Sequence, residues 1–306
     1  MCTVLVTGGA GFIGSNIVDL LLSNGYRVAV VDNLSTGNMN NVNKNSAFYN
    51  VDITDLKLCK IFEIERPTYV IHAAAQINVE KSMQDPVLDA NINIIGSINI
   101  LECCRKAGVR KIIYSSTAAV YGNPLYLGID EKHELNPISF YGMSKYLTER
   151  YMQLFSDLYG LKYTILRYSN VYGMRQNFNG EGGVIQSFIR YMFKGEKPMI
   201  FGNGNQTRDF IYVDDVARAN MLALKKGDND IFNIGTGIEV SIIDLFKSLG
   251  KIIGDCTPLY MPQKKGDITH CYFNIKKSTE ILDWEPEYML KEGLKKTIQW
   301  YKKIFI

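Results

Sequence analysis

The sequence predicts an α/β fold, a doubly wound parallel sheet followed by a smaller C-terminal substrate domain. Three observations carry that expectation. Short β-branched runs alternate with helix-length segments through the first half of the chain. A glycine-rich turn, Thr7 to Gly14, separates the first run from the first helical segment, and an acidic residue, Asp32, closes the second run. Alternation of this kind implies right-handed crossovers and helices on both faces of a parallel sheet.

Taken in order, Thr3 to Thr7 reads as a buried strand and Phe12 to Ser23 as a helix. Arg27 to Val31 and Ser46 to Val51 follow as strands, Leu56 to Glu65 as a helix, and Thr68 to His72 as a strand. A long helix from Pro86 to Ala107 stops at Gly108, and Lys111 to Ser115 is the next strand. Phe140 to Leu158 is again helical, and Lys162 to Leu166 is a strand. After about Tyr172 the rhythm breaks into shorter elements separated by glycine-rich loops at Asn179 to Gly183, Gly202 to Asn205 and Gly235 to Gly237. The expected division is 1–172 for a nucleotide-binding domain and 173–306 mainly for substrate, with 231–234 returning to the first sheet. The second part would lie over the carboxyl ends of the strands, where open α/β sheets bind ligands.

The 306 residues are 46% hydrophobic and 21% charged, with a net charge of +3, which is ordinary for a soluble globular protein. Basic residues are scattered, so no nucleic-acid or anionic-membrane footprint is expected. No apolar run approaches the 18 or so residues that span a bilayer, and no basic leader precedes Thr3. The six cysteines, at 2, 59, 103, 104, 256 and 271, form no C-x-x-C pair. They are expected to be free thiols in a reducing cytoplasm.

Gly8, Gly11 and Gly14 permit a tight turn, close approach of a pyrophosphate, and close helix–strand packing. The helix that follows offers free N–H groups and a partial positive charge to the phosphates. Asp32 can accept from a ribose 2′-hydroxyl and would repel a 2′-phosphate, so NAD is expected rather than NADP. Asp52 can reach an adenine amino group or cap the helix beginning near Thr54; the sequence leaves both open. His72 reads as a satisfied strand-end histidine.

Tyr141 and Lys145 are four residues apart, so on a helix they share one face. A tyrosine of pKa about 10 needs help to act near neutrality. Two charges roughly 4 Å apart at an effective dielectric near 20 interact by about 4 kcal/mol, enough to bring a phenol towards pH 7.

Gly8-x-x-Gly11-x-x-Gly14, Tyr141-x-x-x-Lys145 and Lys111-Ile-Ile-Tyr-Ser-Ser-Thr117 together resemble the extended short-chain dehydrogenase/reductase family, whose nucleotide domain is a Rossmann fold. Further blocks cover nearly the whole chain: His72 to Gln76, Asn93 to Gly96, Leu166 to Gly173, Arg208 to Asp215 and Trp284 to Pro286. These resemble the UDP-glucose 4-epimerase branch. The resemblance implies a catalytic set of Thr117, Tyr141 and Lys145. It extends the NAD site to Phe12, Ile13, Asn33, Leu34, Ser35, Gly37, Ile53, Ala73, Ala74, Ala75, Asn93 and Ser169. It implies a UDP-sugar site of Asn170, Gly183, Val184, Met199, Ile200, Phe201, Arg208, Lys264, Asp267 and Cys271, with Thr117 and Tyr141 at the sugar. The guanidinium of Arg208 suits a diphosphate.

The family pattern Arg-x-Gly-Asp reads Lys264-Lys265-Gly266-Asp267 here, and lysine neutralises phosphate without the bidentate fork. Cys271 stands where relatives restricted to plain hexoses carry tyrosine, which implies room for N-acetylhexosamines. The implied reaction oxidises carbon 4 of a UDP-hexose to a 4-keto sugar, turns the sugar, and reduces it on the other face. Relatives that eliminate water carry Asp-Glu after the Ser/Thr, where this chain has Ala118-Ala119. A decarboxylase or uronate epimerase, and a non-catalytic NAD sensor, are the competing readings. The resemblance also implies a homodimer through the helices starting at Pro86 and Phe140.

Overall fold

A computed structural model of the chain describes residues 2–177, 183–263 and 268–305. Seven parallel strands form one sheet: β1 Thr3–Thr7, β2 Arg27–Asp32, β3 Ala47–Asn50, β4 Tyr69–His72, β5 Lys111–Thr117, β6 Lys162–Tyr168 and, after four short strands, β11 Asp230–Ile234. Their order is β3-β2-β1-β4-β5-β6-β11, so the direction of winding reverses between β1 and β4. A crevice opens at that point outside the carboxyl ends of the strands. Residues 231–234 do return to the sheet: Phe232 pairs with Leu166.

The central strands are buried on both faces, which is why they read as nearly unbroken apolar runs. On one face, α1 (Phe12–Ser23) and α8 (Val213–Ala223) pack over Val4, Val30, Ile71 and Phe232. The other face carries α2 (Leu58–Glu65), α5 (Gly96–Ala107) and α6 (Phe140–Tyr159) over Leu5, Val70, Ile112 and Ile165. Two short helices, α3 (Val79–Gln84) and α4 (Pro86–Ala90), precede α5. The remaining strands are β7 (Asn170–Tyr172), β8 (Met199–Phe201), β9 (Thr207–Arg208), β10 (Phe210–Tyr212), β12 (Val240–Ser241) and β13 (Leu259–Met261). They pair two by two, and with α7 (Val184–Phe193), α9 (Ile242–Ile253) and α10 (Leu290–Phe305) they enclose a separate apolar cluster around Phe188, Leu245 and Tyr301.

Three expectations are corrected. The predicted helix from Pro86 to Ala107 is continuous but passes through a π-helical turn at Asn91–Ile95. That run of 22 residues reaches a mean hydropathy of 1.2, so one helix here does have the length and apolarity of a membrane span. It packs beside α2 and α6, and 44% of its most apolar stretch is buried, which accounts for its composition. Second, Cys59 and Cys103 are joined in a disulfide; the other four cysteines are free. The physical reason is that α2 and α5 lie side by side, bringing the two Cα atoms to 5.2 Å although 44 residues separate them. Third, the helix after β3 begins at Leu58 rather than Leu56, because Asp55 turns the chain there, its Oδ1 accepting from Lys57 N at 2.8 Å and its carbonyl from Leu58 N at 3.1 Å.

Candidate active site

The crevice between β1 and β4 has a volume of about 440 Å³. Gly8, Gly11, Phe12, Ile13, Gly14, Asp32, Asn33, Ser35, Asp52, Ile53, Ala73, Ala74 and Ala75 line it. Gly8 has φ +70°, and a Cβ on Gly14 would collide with the Gly8 carbonyl oxygen, so the loop can take no side chain at either place. The first turn of α1 has no side-chain cap, which leaves its N–H groups facing outward. Asp32 Oδ2 accepts from Ala10 N at 3.0 Å and Oδ1 from Leu34 N at 2.8 Å, so the carboxylate ties the glycine loop to the loop after β2. Gly37 closes on it: a Cβ there would stand 2.7 Å from Asp32 Oδ1. Leu34 itself adopts φ +58° and meets Asp32 through its backbone.

Asp52 accepts from Thr54 N and Thr54 Oγ1, and from Asn33 Nδ2 at 2.6 Å. Partial burial works to raise its carboxyl, but these donors outweigh it and hold the group below the ordinary range. Residues of α3 and its approach also line the crevice, among them Gln76, Ile77 and Lys81, with Leu88 and Ile92 further along. Sequence reasoning missed them because α3 has too few residues to show a helical period; only Gln76 sat in a recognised block.

Asn93 departs from its expected role. It is buried, and its side chain is spent on Gln76 N, Gln76 O, Asp89 Oδ1 and Ser144 Oγ, at 2.8 to 3.1 Å. It braces the crevice from behind. His72 is the satisfied histidine expected: Nδ1 meets Thr7 Oγ1 at 2.8 Å and Nε2 meets Ser97 Oγ at 2.9 Å. Burial, with Lys145 nearby, pushes its pKa down to about 3.

Thr117 ends β5, and Tyr141 and Lys145 stand on the first turns of α6, whose cap is Ser139 accepting from Gly142 N. Tyr141 N donates to Ser82 Oγ at 3.1 Å, which docks the helix start against α3. Thr117 Oγ1 accepts from Ala119 N at 3.2 Å, and its hydroxyl acts on the Tyr141 phenol. The expected lowering of Tyr141 by Lys145 is not what the protein alone produces. Burial pushes the phenol up to about 12, with the Thr117 hydroxyl opposing and Asp89 adding to the rise. Burial likewise pushes Lys145 down to about 7, against the pull of Glu149 and Asp89. Both shifts share one cause: a dry site penalises either charge.

Further down α6, Glu149 receives Arg167 Nε at 3.0 Å and Nη2 at 2.6 Å, both residues being 1% exposed along their side chains. Ser116 also donates to Glu149, and Arg167 Nη1 reaches Tyr121 Oη at 2.9 Å. Tyr121 donates to Asn233 Oδ1 at 2.7 Å. This strut ties α6 to β5, β6 and β11. Glu149 was not singled out from the sequence, although it falls four residues after Lys145 on the same helical face.

On the substrate side, Asn170 is exposed at the start of β7, and Gly183 forms the uncapped N-terminus of α7, followed by Val184. Met199 and Phe201 are half-buried in β8, while Ile200 is fully buried in the apolar cluster, so only its backbone can meet a ligand. Arg208 Nη1 donates to the carbonyls of Thr207 and Ile268, each at 2.7 Å. Cys271 is buried, packed with Val120, Tyr121, Ile129 and Phe273 beside Ala118, and burial pushes its thiol up to about 11. Lys264, Lys265, Gly266 and Asp267 lie outside the described residues, as does most of the Asn179 to Gly183 loop. The buried hydroxyl of Ser169 has no hydrogen-bond partner among the described residues.

The side-chain-free cradle, the uncapped helix end and the Asp32 carboxylate fit NAD. Fold and site therefore define an NAD-dependent enzyme, with Tyr141 and Lys145 buried together at the start of α6. Residues 4–235 match the NAD dependent epimerase/dehydratase family, and the chain belongs to it. A solved UDP-glucose 4-epimerase from Thermotoga maritima, with UDP-glucose, is 49% identical with a TM-score of 0.97, covering 99% of this chain and 100% of that one. The UDP-glucose 4-epimerase of Mycolicibacterium smegmatis is 37% identical over 306 residues, 97% of this chain and 98% of the relative. The UDP-N-acetylglucosamine 4-epimerase of Methanobrevibacter ruminantium, in complex with UDP-N-acetylmuramic acid, is 35% identical with a TM-score of 0.94 and covers 99% of each chain.

Proposed function

We propose that this enzyme interconverts UDP-glucose and UDP-galactose by epimerisation at carbon 4. The observation that carries the reading is the junction of Thr117, Tyr141 and Lys145 at the carboxyl end of β5, in a chain so similar to the Thermotoga maritima enzyme. When bound, NAD supplies the hydride acceptor and donor for carbon 4 and a positive ring beside the phenol. Tyr141 takes the proton of the sugar 4-hydroxyl at its Oη and gives it back after the sugar turns. Thr117, at the end of β5, steadies that phenol with its hydroxyl. Lys145 offers a buried ammonium that favours the phenolate. Arg208 and the N–H groups at the start of α7 keep the diphosphate in place while the hexose rotates. With alanine at 118 and 119, the chain lacks the acid and base that water elimination needs.

The finer parts of the proposal follow. The strands and helices after Tyr172, other than those on the main sheet, form the UDP-sugar domain. Cys271, in place of a bulkier side chain, leaves room for an N-acetyl group at carbon 2; the Methanobrevibacter ruminantium neighbour supports this. Phe140, Met143, Leu147, Tyr151, Leu154 and Leu158 make an exposed apolar stripe along α6, with Val87 and Ile95 exposed on the neighbouring run. That stripe supports a homodimer.

The test is incubation of purified protein with UDP-galactose or UDP-N-acetylgalactosamine, without added NAD, and analysis of the products. Formation of the gluco epimers is expected, and Tyr141→Phe should lose at least a hundredfold in turnover while still binding UDP. Near-normal activity in that variant would sink the assignment. Sedimentation as a monomer at micromolar concentration would remove the dimer.

A further inference from the structure

Behind the catalytic helix lies a carboxylate that makes no contact with the reacting hydroxyl in the scheme above. Asp89, in α4, is 1% exposed. Its Oδ1 accepts from Gln76 Nε2 at 2.8 Å and from Asn93 Nδ2 at 3.1 Å, both neutral amides. The same Asn93 nitrogen is 3.1 Å from Ser144 Oγ, which donates to the Tyr141 carbonyl at 3.0 Å. Thr148 Oγ1 donates to the Asn93 carbonyl at 2.9 Å. Hydrogen bonds thus run from one buried carboxylate to two turns of α6.

Lys145, on the same helix, has its Nζ 4.3 Å from the centroid of the buried Tyr114 ring, a cation–π seat. A buried ammonium needs a compensating negative charge. Four groups face it besides its neighbour Tyr141: Tyr114 from β5, His72 from β4, Glu149 from α6 and Asp89 from α4. His72 is neutral, and the charge of Glu149 is shared with Arg167.

We propose that Asp89 is a positioning residue for the Tyr141–Lys145 pair: its carboxylate balances the buried ammonium through space, and through Asn93 and Ser144 it fixes the turn that presents Tyr141. The proposal rests on the acid/base roles assigned above. A negative charge at this place holds both Tyr141 and Lys145 towards their protonated forms. Asp89→Asn keeps an acceptor for both amides and removes the charge, so both groups should then lose their protons at lower pH.

Two measurements test this on the NAD-loaded protein. In the pH profile of kcat/KM the two limbs report the Tyr141–Lys145 pair; in Asp89→Asn both should move to lower pH by on the order of one unit. Independently of turnover, 13Cζ-tyrosine NMR should show Tyr141, identified by its loss in Tyr141→Phe, titrating lower by a similar amount. Asp89→Glu, which restores the charge, should return both readouts towards wild type. Superimposed profiles and titrations in wild type and Asp89→Asn overturn the proposal. So does a lower kcat with neither limb displaced, which is what a purely structural role gives. If wild type turns over no UDP-sugar, the proposed activity fails, and the tyrosine titration alone decides for or against Asp89. If Asp89→Asn does not fold, Asp89→Ser, which leaves space for water beside both amides, is read by the same titration.

Discussion

The two halves of the site are made of different material. The cofactor cradle is built from main chain: three glycines, an uncapped helix end, and a carboxylate whose oxygens hold backbone N–H groups. The proposed substrate corner adds side chains to main chain, with Arg208 folded onto carbonyl oxygens and Cys271 packed among aromatic and aliphatic groups. A main-chain cradle is indifferent to most side-chain identities but rejects any added Cβ. A side-chain corner tolerates substitution and is retuned by it. Between them stands the catalytic helix, held by the Glu149–Arg167 strut.

The largest effect should come from cutting that strut. Glu149→Gln leaves Arg167 buried with half a partner and should cost about 3–5 kcal/mol, read as a lowered denaturant midpoint. An unchanged midpoint would show that α6 is held by packing alone. Next, Gly14→Ala should displace the glycine loop, costing about 1–3 kcal/mol and releasing NAD during purification. Retained NAD in that variant would remove the distinction drawn between the two halves.

Acid should weaken the cofactor side through His72. Its folded pKa is depressed to about 3, against about 6.5 in an unfolded chain, so the native state excludes a proton that the unfolded state binds. The stability it permits is complete above about pH 6.5 and is lost progressively as the pH falls towards 3. In His72→Gln that part of the acid dependence should disappear, and urea unfolding at pH 7 and pH 4.5 measures the difference. The smallest effects belong to the substrate corner. Arg208→Lys should weaken UDP-sugar binding by about 1–2 kcal/mol without altering NAD content. Cys271→Tyr should remove activity on the N-acetylated sugar while sparing the plain hexose; equal loss on both would count against Cys271 as the size determinant.

The sequence by itself determined the sheet, the glycine cradle and the placing of Tyr141 and Lys145 on one helix. Buried parallel strands must be apolar on both faces, a pyrophosphate turn must lack side chains, and a Tyr–Lys pair one helical turn apart shares a face whatever surrounds it. These are local rules, and β1, α1, Gly8 to Gly14 and Tyr141 to Lys145 obey them. Tertiary structure decided what depends on residues far apart in the chain. Asn93 became a brace because Gln76 and Ser144 converge on it, and Cys59 met Cys103 because two helices pack together. Glu149 found Arg167 across a strand, and Asp89 was brought beneath the catalytic turn. The protonation of Tyr141 and Lys145 was settled there too, since desolvation depends on everything packed around a group and no spacing in the sequence encodes it.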